Sequence, residues 1–167
     1  MTLVATLIRE KIKNKDVLLK KHCLKDKKLP IGIIKLNQSI IDETLVNALK
    51  ILPANFIIIS NNEILWDYLN IGFSDVCLND KGLDFIVCDD CESNPVEYFK
   101  NGIIPIIYKS NHMSSVLTEF NAARVEWNAF IFENDALCDI YYAIIRYLEN
   151  YKFPYDNKAL VKNILDI

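Results

Sequence analysis

A chain of 167 residues, 51% of them hydrophobic, can build one domain with a sizeable core and is too short for two ordinary ones. The formal net charge of −3, and the interleaving of lysines with apolar and acidic residues over 9–28, exclude the concentrated basic face that nucleic-acid binding needs; that run reads as a solvated helix face. No segment reaches the roughly 18–20 unbroken apolar residues of a membrane span.

In chain order, residues 2–24 read as one amphipathic helix or two, and "PIGIIKL" (30–36) as a first buried strand. "IDETLVNALKIL" (41–52) has helical spacing, with Ile41, Leu45, Leu49 and Leu52 on adjacent turns. "NFIIIS" (55–60) is a second strand, closed by the turn-forming Asn61 and Asn62, and "EILWDYLN" is a short helix. "SDVCLN" (74–79) and "LDFIVC" (83–88) read as strands around the turn "DKG". "NPVEYFKN" (94–101) is a helix with Pro95 in its first turn, where the missing N–H does no harm. A strand at 103–108, a helix over 113–120, a sixth strand at 129–132 and helices over 135–151 and 157–165 complete the pattern. Continuous apolar runs alternating with helices predict an α/β fold, a single doubly wound, Rossmann-like parallel sheet of about six strands with helices on both faces. Residues 1–29 read as a helical segment or linker and 30–167 as the domain. Ligands of such sheets sit at the carboxyl ends of the strands, which singles out 37–40, 60–62, 89–94, 109–112 and 133–134.

The amino terminus is apolar first and basic second, the reverse of a secretory signal. Five cysteines, an odd number without paired spacing, argue against a disulfide framework and fit a reducing, cytoplasmic setting. Cys88 and Cys91 form a C-x-x-C, but no second ligand pair for zinc accompanies it, and His22 and His112 are far apart; the spacing is read as fortuitous, with a redox or a metal role as the alternatives.

The order of these segments resembles the carboxyl-terminal, donor-binding half of the two-domain (GT-B) glycosyltransferases, most closely the bacterial glycogen and starch synthases. "KIKNKDVLLKKHCLKDKKLPIGIIKL" is similar to that family's linker and first strand, and "NALKILPANFIIIS" to the helix and strand before its phosphate loop. "DFIVCDDCESNPVEYFKNGIIPIIYK" is similar to its strand, acidic loop, helix and "G.VPIV" strand, and "EWNAFIFEND" to its "GNGFLF" segment, with Trp127 where a glycine is usual.

The resemblance implies a nucleotide or a nucleotide-sugar, such as an ADP- or UDP-sugar, as ligand, and no cofactor or metal. It places Glu97, five residues before Gly102, on the ribose hydroxyls, a diol that a carboxylate can accept from twice. It places Asp89, eight residues before Glu97, near the sugar, with Asp90 and Glu92 as alternatives in a shortened loop. It puts Lys35 at the first diphosphate cation, and Ser60 and Asn61 at the phosphate turn. The second cation position falls on Ile40, and "SNN" at 60–62 lacks the usual glycine. Cations there stabilise leaving-group charge, so weak or lost catalysis is expected and no catalytic residue is assigned. An acceptor-domain chain or a second copy is the implied partner; an inactive scaffold that keeps the half fold is the alternative. From the residues alone, Glu97 can equally pair with Lys100 on a solvated helix, Asp89 or Asp90 can cap that helix, and the acidic loop could hold Mg²⁺. A response-regulator receiver is rejected, because "GIIKLN" has no acid pair and Glu133 stands where its lysine belongs.

Overall fold

The computed structural model describes residues 3–24, 26–60, 70–74, 81–89, 95–110, 112–121, 123–124 and 126–167. Six strands, β1 (Ile31–Lys35), β2 (Asn55–Ile59), β3 (Ile71–Ser74), β4 (Phe85–Cys88), β5 (Ile104–Tyr108) and β6 (Phe130–Phe132), form one sheet in the order β3-β2-β1-β4-β5-β6. Every pairing is parallel. Among the described residues five helices accompany it: α1 (Leu3–Lys21), α2 (Glu43–Leu49), α3 (Pro95–Lys100), α4 (Leu137–Tyr151) and α5 (Pro154–Leu165). The chain runs outward from β1 through β2 to β3, then returns to lay β4, β5 and β6 on the other side. Strand order therefore reverses between β1 and β4.

Ile31 to Ile34, Asn55 to Ile58 and Phe85 to Cys88 are each buried without alternation, as strands covered on both faces must be. The pairing of Gly32 with Phe85 is specific: a Cβ at Gly32 would stand 2.1 Å from the Phe85 ring, which occupies that space. Phe85 in turn meets Phe56 edge-on at 6.0 Å and Tyr147 of α4 at 4.7 Å. Asp42 caps α2, its carboxylate accepting from Leu45 N–H at 2.8 Å, and the predicted stripe turns inward at Ile41, Leu45 and Leu49.

Helix α1 lies across the amino ends of the strands. Leu7, Leu18 and Leu19 are buried, and two lysines share their stripe. Lys11 Nζ donates to the carbonyls of Leu83 and Gly102. Lys15 Nζ stands 2.7 Å from Asp84 Oδ2, an oxygen that also accepts from Ile31 N–H at 2.9 Å. Gly102 turns the chain from α3 into β5 with φ +60°, pressed against Leu7 and Val161.

Three expectations change. The third strand is at Ile71–Ser74; most of 74–79 lies outside the described residues. The helix read over 113–120 is a single 3₁₀ turn at His112–Ser115, after which Glu119 bridges Ala129 in parallel. Asn128 Oδ1 accepts from Thr118 N–H there, and Phe120 N–H donates to Ala129 O, so this segment extends the sheet edge. The last helix starts earlier than predicted, with Pro154 as its first residue. Among the described residues no helix is long and apolar enough to cross a membrane.

Candidate functional site

The carboxyl edge of the sheet holds a cavity of about 440 Å³ at the reversal between β1 and β4, lined by Asn37, Ser39, Ile40, Asp89, Tyr108, Ser110, His112 and Asp135. Its floor is built by loop-to-loop hydrogen bonds. Asn37, two residues past β1, donates its N–H to Asp89 Oδ2 at 2.6 Å, across the strand reversal. Its side-chain oxygen accepts from the Ser39 N–H and hydroxyl, both at 3.1 Å, an Asx turn that shapes the loop. Gln38 reaches the other way: its amide nitrogen donates to Ile59 O at 3.2 Å and its oxygen accepts from the Ser60 hydroxyl at 3.0 Å. The loops after β1, β2 and β4 are thus stitched together at the edge where the fold exposes its strand ends.

A second cavity, of about 730 Å³, adjoins along β6 and α4. Lys109 and Glu133 face each other there at 2.8 Å, and that carboxylate raises the Lys109 pKa. Arg146 bonds Glu119 and lies over the rings of Phe130 and Tyr142 at 5.6 and 5.8 Å. The Glu119 carboxyl pKa is nonetheless raised: burial outweighs the pull of Arg146 and of the Ile131 N–H.

The predicted site residues separate accordingly. Asp89 lines the central crevice, and Ser60, buried, supports it through Gln38. Lys35 ends β1 beside Cys88, partly exposed, and lines neither cavity. Glu97 is exposed on the first turn of α3 and also lines neither. Gly102 is a correction: it sits before β5, at the opposite end of the strands, and its conformation serves the turn and the packing of α1. Asn61, Asp90 and Glu92 lie outside the described residues. Of the predicted strand-end segments, Ser110 and His112 reach the crevice, whereas Lys109, Glu133 and Asn134 line the outer cavity. Tyr108 and Asp135 were not anticipated; only their position at the end of β5 and after β6 could have marked them. Cys88 is disulfide-bonded, against the expectation from the cysteine count, since an odd number forbids pairing every cysteine but not one pair. Trp127 is buried in the core against Phe120.

Neither a family model nor a curated protein matches the sequence. Solved structures match the fold. The catalytic domain of starch synthase IV from Arabidopsis thaliana, bound to ADP and acarbose, superposes with a TM-score of 0.74 over 94% of this chain, at 18% identity. The chain has the fold of a GT-B carboxyl-terminal half. Sucrose-phosphate synthase from Thermosynechococcus elongatus superposes over 92% at a TM-score of 0.60 and 13% identity, and the calicheamicin glycosyltransferase CalG4 over 86% at 0.52 and 12%. This GT-B half spans only 39%, 43% and 40% of those three chains. Its crevice at the strand reversal is where an open α/β sheet takes ligands. No lysine or arginine lines it among the described residues, and two acids, Asp89 and Asp135, do.

Proposed function

We propose that this protein is a glycosyltransferase-like donor half that binds a nucleotide or nucleotide-sugar in the crevice between β1 and β4, with another chain supplying any acceptor side. The observation that carries the reading is the coincidence of a polar cavity of about 440 Å³, a size suited to small ligands, with the strand reversal of a GT-B half. Asp89, Ser110 and His112 would meet the polar groups of the ligand. Titrating ADP, UDP and their glucose conjugates into the protein by calorimetry tests it: saturable binding, weakened at least tenfold by His112→Ala, is the expected result. Absence of heat with every nucleotide would defeat the reading.

The acids in the crevice favour a second reading, an interaction or scaffold protein without transferase activity. A diphosphate leaving group needs positive charge, and Asp89 and Asp135 supply the opposite sign. Nucleotide binding without sugar transfer or donor hydrolysis is the outcome we expect.

We also place the protein in the cytoplasm, on the exposed free thiols of Cys23 and Cys138. The bond at Cys88 weighs the other way. Alkylation of the denatured, unreduced protein decides between them. Five labelled cysteines mark a reduced protein; three, the five less one bonded pair, mark an oxidised one.

A further inference from the structure

The amino edge of the sheet, opposite the crevice, holds a third cavity, of about 170 Å³, lined by Lys11, Lys15, Asp84, Tyr147, Tyr151 and Asn157 together with apolar residues of α1 and α5. Its hydrogen-bonding groups do not balance. An ammonium has three N–H donors. Lys11 spends two, on the carbonyls of Leu83 and Gly102, and Lys15 spends two, on Asp84 and on the Tyr151 hydroxyl at 3.2 Å. The Tyr151 hydroxyl accepts from Lys15 and keeps its own proton to give. The Tyr147 hydroxyl is buried, with 0% of the residue exposed, and meets no hydrogen-bond partner. Donors on four side chains therefore remain unspent around one small space. The charges do not balance either, because two ammoniums face the single carboxylate of Asp84.

We propose that this cavity is a binding site for a small monovalent anion, a carboxylate the size of formate, a nitrate or a halide. Water could fill the space and accept the hydrogen bonds, but it would leave the second ammonium without a counter-charge in a buried setting, which is the costly part. An anion answers both deficits. Lys11 shows the strain: burial lowers its pKa from 10.5 to about 8, with Asp84 raising it less and Lys15 lowering it further. The titratable groups facing the cavity are Lys11 and Lys15 from α1, Asp84 ahead of β4, and Tyr147 and Tyr151 from α4; α5 contributes the uncharged Asn157. Lys15 has its pKa raised, as have both tyrosines, whereas Lys11 loses its charge as the pH rises past about 8.

Calorimetric titration of the full chain with sodium formate and with sodium nitrate, at constant ionic strength, tests the site. Saturable one-to-one binding is expected at pH 7, weakened at least tenfold at pH 9.5 and at least tenfold by Tyr147→Phe, which keeps the ring and removes one donor. Crystals of the unaltered protein grown in sodium bromide give a second measurement. An anomalous peak within hydrogen-bonding distance of Tyr147 Oη and Lys11 Nζ is expected. No saturation at pH 7, equal affinity in Tyr147→Phe, or only water in the cavity of the bromide crystals would overturn the proposal.

Discussion

Lys11 carries an ammonium into the interior because two carbonyls, those of Leu83 and Gly102, need a donor where α1 crosses the strand ends. Burial sets the cost, holding the amine at about 8. Between that value and the 10.5 of an unfolded lysine, the unfolded chain binds the extra proton, so stability must rise with pH across this window. From pH 8 to 9.5 the gain is about 1–2 kcal/mol at most, since each tenfold difference in proton affinity between the two states is worth about 1.4 kcal/mol. Above pH 10 the sign turns. Tyr147 and Tyr151, their pKa values raised chiefly by burial, resist ionising while the unfolded chain does not, and stability falls. Urea unfolding at half-unit steps from pH 7 to 9.5 measures the rise. Lys11→Met, whatever its overall stability, loses the slope; a flat profile in the unaltered protein would place the Lys11 amine in contact with solvent. The run 9–28 reads in the sequence as a solvated helix face, and Lys11 and Lys15 overturn that reading: they share one buried stripe along α1 with Leu7, Leu18 and Leu19. What the stripe could not say is which carbonyls lie beneath it, because those come from 72 and 91 residues away.

At the scale of elements, the described part of the carboxyl edge is held by short polar ties. Asp89 fixes the loop after β1 through the Asn37 N–H, and Ser60 fixes it from the other side through Gln38. A hydrogen bond to a charged group contributes about 1.5–3 kcal/mol, so Asp89→Ala should cost close to the lower figure, because Asp89 is only half-buried. The more telling measurement is amide exchange at Asn37, which should accelerate at least tenfold in Asp89→Ala while the amides of β1 and β4 keep their protection; an unchanged Asn37 would mean that the loop holds without the tie. The strands were readable because both faces are buried and each appears as an unbroken apolar run. The failures have local causes. β3 is short and contains Gly72 and Ser74, so its apolar signal was weaker than that of the neighbouring 74–79. Met113, Leu117 and Phe120 mimic helical spacing, yet Met113 belongs to a single 3₁₀ turn and Leu117 and Phe120 pack from the extended segment that follows it beside β6. Asp89 was readable as a strand-end acid, whereas Tyr108 and Asp135 join it only through the parallel order of β1, β4, β5 and β6, which spacing along the chain does not encode.

For the whole molecule, the question is whether the amino-terminal segment is a linker to something else or part of this domain. One contiguous buried cluster runs from Leu7 to Ile164, and α1 touches α5, so both ends of the chain close over the same edge of the sheet. Leu7, Leu18, Leu19 and Leu24 are all within 9% of full burial, and burying a leucine is worth about 1.5–3 kcal/mol. Removing four such side chains takes away about 6–12 kcal/mol, comparable with the entire stability of a typical domain, about 5–15 kcal/mol. The loss is compounded at Asp84, which would keep a buried carboxylate without Lys15, and at the carbonyls of Leu83 and Gly102, which would lose Lys11. The full chain should therefore unfold in a single transition, with near-ultraviolet and far-ultraviolet circular dichroism superimposing. A chain of residues 30–167 alone should retain helix signal but lose the near-ultraviolet signal and the cooperative midpoint. If instead 30–167 melts cooperatively at the temperature of the full chain, then α1 rests on the domain without supporting it, and residues 1–29 are a linker after all.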